Sequence, residues 1–167
     1  MKYLIGLFIC SAFLFAETET LIIDADNFQG DDKKGISTFT GNVKIKKGQD
    51  KLNANKVDVY FVLDKKTNKR TPIKYEATGK ADFEIYSSNK HYVGNGDKVI
   101  YVPETEDYTI VGNGYLEEKV ENRKVYGDEI YVNQLSGDAK VKGNENKPVR
   151  FIIDVNKGQN KGENKWK

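Results

Sequence analysis

Few residues in this chain could do chemistry, and their spacing argues against most of it. There is one histidine, His91, set where a turn gives way to a strand. A protein zinc site of the usual kind draws several ligands from His and Cys. A Ser-His-Asp centre could use His91, but no nucleophile motif accompanies it, so it reads as an exposed turn residue. Asp24, Asp26, Asp31 and Asp32 crowd together without the spacing of an EF-hand loop and read as solvated turn residues. Asp97 and Asp128 could form the carboxylate pair of an enzyme acting on cell-envelope carbohydrate. Each lies in a recurring four-residue pattern, however, which points to duty at a turn or bulge. Lys65, Lys66, Lys69 and Arg70 could meet phosphate. Without interleaved aromatics they read as a solvated hairpin tip. A net charge of +2 creates no demand for nucleic acid. These residues predict no enzyme, no metal and no cofactor.

The N-terminal sixteen residues differ from the rest. Lys2 precedes an apolar run from Tyr3 to Phe15, and Ala16 precedes Glu17. This is the layout of a secretory signal, cleaved most simply after Ala16. The run is roughly 13 residues, short of the about 20 that span a membrane. The only cysteine, Cys10, lies inside this segment, and bulky Phe8 and Ile9 make a poor lipidation site. A mature chain without cysteine has no disulfide and no thiol chemistry.

What remains is built from strands. In Tyr75, Ala77, Gly79, Ala81, Phe83 and Ile85, small or apolar residues alternate with polar Lys74, Glu76, Thr78, Lys80, Asp82 and Glu84. A period of two gives a strand with one dry face and one wet face. Phe39-Gly41-Val43-Ile45 and Tyr108-Ile110-Gly112-Gly114 repeat the pattern. Glycine at 41, 79 and 112 removes a side chain from the dry face, which suits a bend where a sheet curves round a narrow interior, or simply tight packing. A second signature is a small residue, then Asp or Asn, then any residue, then an apolar one. It occurs as Ala25-Asp26-Asn27-Phe28, Ala54-Asn55-Lys56-Val57, Gly96-Asp97-Lys98-Val99 and Gly127-Asp128-Glu129-Ile130. Alternation of the two signatures predicts hairpins stacked on one another, each covering its neighbour's apolar row. Turns are expected at Lys47–Asp50, Ser87–Lys90 and Glu121–Lys124, with longer links at Asp64–Pro72 and Pro103–Asp107. One last strand is expected around Val149 to Ile153. Asn156 to Lys167 is Lys, Asn and Gly with Trp166, and is expected to be a disordered tail. The expected organisation is a signal peptide at 1–16, one β domain at 17–155 and the tail at 156–167.

Ile23-Asp24-Ala25-Asp26, Phe39-Thr40-Gly41-Asn42-Val43, Leu52-Asn53-Ala54-Asn55-Lys56-Val57, Tyr75-Glu76-Ala77-Thr78-Gly79 and Gly127-Asp128-Glu129-Ile130 together resemble the OstA-like (LptA) family over roughly residues 20 to 142. The resemblance implies an all-β jellyroll, two antiparallel sheets folded into an open groove. It also implies lipopolysaccharide as cargo, with lipid A acyl chains in the groove and no catalytic residues. Members stack end to end as a periplasmic bridge, so the implied partners are LptC-like inner-membrane and LptD-like outer-membrane jellyrolls and further copies of the chain. A membrane-anchored LptC-like relative is the alternative within the family. Outside it, the alternative is a structural or adhesive secreted β protein without lipid cargo.

Strand parity assigns the groove-facing residues as Phe39, Val43, Ile45, Leu52, Val57, Val59, Phe61, Tyr75, Phe83, Ile85, Val99, Tyr101, Ile110, Ile130 and Val132. A lipid tail would gain roughly 0.8 kcal/mol per methylene buried against such a row. The candidate edges, Leu21–Asp24 at one end and Ala139–Val141 and Val149–Ile153 at the other, carry few charges. Open edges of that kind invite strand addition from another chain.

Overall fold

The computed structural model describes residues 20–87 and 89–155. The expected leader, the expected tail and Ser88 of the expected 87–90 turn lie outside these residues. Among the described residues there are ten strands: β1 (Leu21–Asp24), β2 (Asn27–Asp31), β3 (Ile36–Lys47), β4 (Asp50–Asp64), β5 (Lys69–Ser87), β6 (Lys90–Val102), β7 (Asp107–Glu118), β8 (Arg123–Asn133), β9 (Ala139–Lys142) and β10 (Arg150–Ile152).

The six long strands β3 to β8 form an antiparallel meander, each hydrogen-bonded to the next in sequence. At the first edge, β1 covers the Lys44–Lys47 half of β3 while β2 covers the Ile36–Thr40 half. At the last edge, β9 pairs with Glu129–Val132 of β8 and β10 with Lys124–Tyr126. The two edges do not pair with each other, so the sheet stays open rather than closing into a barrel.

Every long strand is broken at the same level by a bulge. Between β3 and β4, three steps from Thr40 to Val43 face two from Lys56 to Ala54. Equivalent shifts fall at Thr78/Ala81 against Lys98/Gly96 and at Val111/Gly114 against Glu129/Gly127. The extra residue sits where the sequence places glycine: Gly41, Gly79 and Gly112 have φ of 80°, 79° and 75°, and each is followed by a second left-handed residue, Asn42, Lys80 or Asn113. A side chain at Gly79 would meet the Asn55 Cβ at 2.9 Å, and one at Gly112 the Asp97 Cβ at 2.9 Å. The expected bend is therefore present, but the close approach is to exposed Asp26, Asn55 and Asp97, on the wet face rather than the dry one.

The second signature lies on the strands facing these bulges. Leu52 and Ala54 point inward on β4, and after Asn55-Lys56 so do Val57 and Val59. The inward parity thus slips by one at the corner, with the small residue ending one inward row and the apolar residue starting the next. Where the residue between them is Asp, its carboxylate ties the corner. Asp26 and Asp97 accept from Asn42 and Asn113 at 2.9 and 3.1 Å, and Asp128 accepts from Asn144 at 3.2 Å. Asp97 and Asp128 are thus each engaged at a corner, as the repeat suggests.

Because all corners fall on one line, the single sheet folds into two facing layers. One carries Val43, Ala81, Phe83, Ile85 and Val125 inward, and the other Val57, Val59, Ala77, Val99, Ile110 and Ile130. Two local expectations shift. The turn between β7 and β8 occupies Lys119–Asn122 rather than Glu121–Lys124, because Glu118 accepts from the backbone N–H groups of Val120 and Glu121 and closes the turn early. The Asp64–Pro72 link shrinks to a Lys65–Asn68 turn, capped by the Asp64 carboxylate, with strand on both sides.

Candidate functional site

The space between the layers is a concave, largely apolar feature of the fold. It widens at each end and narrows in the middle. Toward β1, a cavity of about 350 Å³ is lined by Ile45, Leu52, Tyr75, Phe83, Ile85, Val99, Tyr101 and Tyr108, with Leu21, Pro72 and Pro103 at its border. Toward β10, a second cavity of about 470 Å³ is lined by Tyr92, Leu116, Val125, Val132 and Phe151 together with Lys90, Arg123 and Lys124. Both volumes fall within the roughly 300–1,000 Å³ typical of small-molecule sites.

Between them lies a void of only about 20 Å³, bounded by Phe83, Ile85, Tyr92, Tyr108, Ile110, Leu116, Ile130 and Val132. It shares Phe83, Ile85 and Tyr108 with the first cavity and Tyr92, Leu116 and Val132 with the second. The three are segments of one groove with a waist. At the waist, Phe83 and Tyr108 approach from opposite layers, ring centroids 6.3 Å apart.

Chemically the first cavity is mostly apolar, with the charged Lys47, Asp50 and Lys51 also on its lining. Tyr75, Tyr101 and Tyr108 stack in sequence, with centroids 6.0 and 4.4 Å apart. Burial raises the phenol pKa of all three, most strongly that of Tyr108, where the neighbouring Tyr101 adds to the effect. These hydroxyls therefore stay neutral and offer no anion to a guest. Every buried polar side-chain atom among the described residues has a partner. No group of three or more His, Cys, Asp or Glu among those residues is disposed to hold a metal. His91 is stacked on Tyr86, centroids 4.3 Å apart, with Nε2 2.9 Å from Glu84 Oε1. Such a lining suits hydrocarbon.

The sequence-assigned residues divide into three groups. Val43, Val57, Val59, Ile110 and Ile130 are 0–1% exposed and form the packed floor. Ile45, Leu52, Tyr75, Phe83, Ile85, Val99 and Tyr101 line the first cavity, and Val132 the second. Phe39 and Phe61 pack partly buried against the core. Parity reasoning left out Tyr108, Tyr92, Leu116 and Val125. Tyr108 shares the parity of Ile110, and Leu116 that of Gly114, so extending the same count along β7 reaches both. Tyr92 and Val125 follow from register, opposite Ile85 and Leu116.

A family model described as "LptA/(LptD N-terminal domain) LPS transport protein" matches residues 22–138, most of the strand-bearing chain. The chain belongs to this family. The match begins in β1 and ends just before β9, so it contains every corner repeat described above. Among solved structures, the chain is similar to LptH of Pseudomonas aeruginosa, described as the LptA-homologous periplasmic component of the conserved lipopolysaccharide transport device. The TM-score is 0.68 at 16% identity, covering 82% of this chain and 96% of that one. At that identity the likeness bears on the fold, and it supports the family's open jellyroll. A search of curated proteins finds no match.

Proposed function

We propose that this protein is a periplasmic carrier of lipopolysaccharide, holding lipid A acyl chains in the waisted groove and passing them between membranes as part of a bridge. The observation that carries the proposal is the groove itself: two cavities joined at a narrow waist, with aromatic and aliphatic side chains along their inner walls and both sheet edges open. Acyl chains gain roughly 0.8 kcal/mol per methylene on leaving water, so an unclosed dry groove can extract them without sealing them in. Family membership supports the same cargo. Export by a signal cleaved near Ala16 belongs to this reading, as do LptC-like and LptD-like jellyrolls as neighbours at the two edges.

The test places photo-crosslinking residues at Phe83 and Tyr101, which line the first cavity, and at Asp82 and Glu76 on the outer face. Lipopolysaccharide should be captured from the first pair and not from the second. Equal capture from both pairs, or none from either, would reject the carrier and favour a β protein that fills its own interior.

A further inference from the structure

The β4–β5 hairpin is longer than the sheet that holds it. Pairing of β3 with β4 reaches only Ile36↔Tyr60, and pairing of β6 with β5 reaches Tyr75↔Tyr101. Beyond that, Phe61↔Pro72, Val62↔Thr71, Leu63↔Arg70 and Asp64↔Lys69 continue the β4–β5 ladder, with the Phe61 N–H still donating to Gly35 O and Arg70 paired with Asp32, both in the β2–β3 turn. The three pairs past Phe61, at about 3.3 Å each, carry the ribbon roughly 10 Å beyond its last backbone bond to a neighbouring segment. All residues from Val62 to Thr71 are exposed.

Both properties of this ribbon are unusual for a solvated tip. Val62 and Leu63 on this extension, and Ile73 at its base, are 51%, 48% and 40% exposed. Around them stand Lys65, Lys66, Lys69 and Arg70 against one carboxylate, Asp64, on a chain whose total charge is only +2. Asp64 is occupied in capping its own turn. Arg70 is held 2.6 Å from Asp32. The side chains of Lys65, Lys66 and Lys69 have no ion-pair partner among the described residues.

We propose that this hairpin docks the protein on an anionic lipid surface, with Lys65, Lys66 and Lys69 at the headgroups and Val62 and Leu63 dipping among them. Aliphatic side chains ringed by lysines suit that surface, because the cations meet headgroup charge while the apolar tips leave water. A ribbon of this length can pass through a headgroup layer of roughly 5–8 Å without bringing the body of the sheet down. Two or three aliphatic tips give a contact that forms and breaks, as a carrier that must let go requires. The inference rests on the proposed function for its purpose but not for its test.

Purified exported protein is sedimented with vesicles of phosphatidylglycerol mixed into phosphatidylcholine and, separately, of phosphatidylcholine alone. Binding is expected to the anionic vesicles only, and to fall as salt is raised. Lys65→Glu, Lys66→Glu and Lys69→Glu combined should weaken partition by on the order of 100-fold, at about fivefold per cation. Leu63→Ser should weaken it several-fold and leave its salt dependence in place. Lys46→Glu, on the other half of the sheet, should bind like the parent more closely than Lys65→Glu does. Equal binding to both vesicles, no binding to either, or a triple variant that binds like the parent would overturn the proposal. The same variants are assayed for lipopolysaccharide capture at Phe83. Capture retained without vesicle binding separates hairpin from groove. Capture absent even from the parent defeats the carrier reading alone, and the vesicle result still decides the hairpin.

Discussion

At the scale of single residues, the corner glycines set the geometry that everything else obeys. Gly79 combines a φ of 79° with an Asn55 Cβ 2.9 Å from where a methyl group would sit. Gly79→Ala should therefore cost about 2 kcal/mol in urea unfolding, from left-handed backbone strain of about 1–2 kcal/mol plus the overlap. The apolar residues divide by role rather than by type. Ile110→Ala, at a site 1% exposed, should lower stability by about 2–5 kcal/mol. Tyr101→Ala, at a cavity wall, should instead weaken lipopolysaccharide capture more than it lowers the unfolding midpoint. Parity alone could not draw that line. It reports which face of a strand a residue occupies, whereas contact with cargo depends on where the facing layer stands off.

At the scale of elements, the end of the β7–β8 ladder is held by one carboxylate. Asp107 accepts from Thr105 Oγ1 and Tyr131 OH, both at 2.6 Å, and from Asn133 Nδ2 at 2.8 Å. These bonds hold its pKa below the ordinary value, Thr105 contributing most, and Asp107 in turn raises that of Tyr131. A depressed carboxylate stabilises the fold above its unfolded pKa of about 3.9 and loses that contribution as pH falls through the lower folded value. Acid unfolding should accordingly be less steep in Asp107→Asn, read by circular dichroism between neutral pH and the acid transition. A slope unchanged by the substitution would remove Asp107 as a contributor. The strands themselves are legible from alternation, which by itself marks Tyr75–Ile85 of β5 but not its Lys69–Pro72 start, where alternation gives way to charge and proline. The β7–β8 turn is not legible, because Glu118 looks like any strand-end glutamate until its bonds to the Val120 and Glu121 amides are seen. The parity slip was hidden for a related reason. Ala54-Asn55-Lys56-Val57 shows a repeat in sequence, but only a bulge on the facing strand explains why both apolar ends point inward.

At the scale of the whole molecule, two unpaired edges define how copies could join. Strand addition at β9 and β10 by the β1–β2 end of another copy would extend the groove and, because it does not close on itself, yield rods. Ile152→Pro removes a ladder donor from β10, and sedimentation over a concentration series should then show shorter assemblies than the parent. A parent that stays monomeric when concentrated, and ignores LptC-like and LptD-like jellyrolls as well, would end the bridge reading. The open order of strands also bears on how the chain folds. Backbone contacts join only hydrogen-bonded neighbours, and each long strand's neighbours on the meander are the strands next to it in sequence. Within the β3–β8 meander no crossover has to wait for distant segments to meet, so little loop-closure entropy stands before each of its ladders. Folding can begin at any central hairpin and zip outward one strand at a time. Amide exchange should trace that history in reverse, fastest in β1, β2, β9 and β10 and slowest in β4 to β6. The end strands that would receive a neighbouring copy should thus also be the last to form, so that a neighbour's arrival would finish folding them.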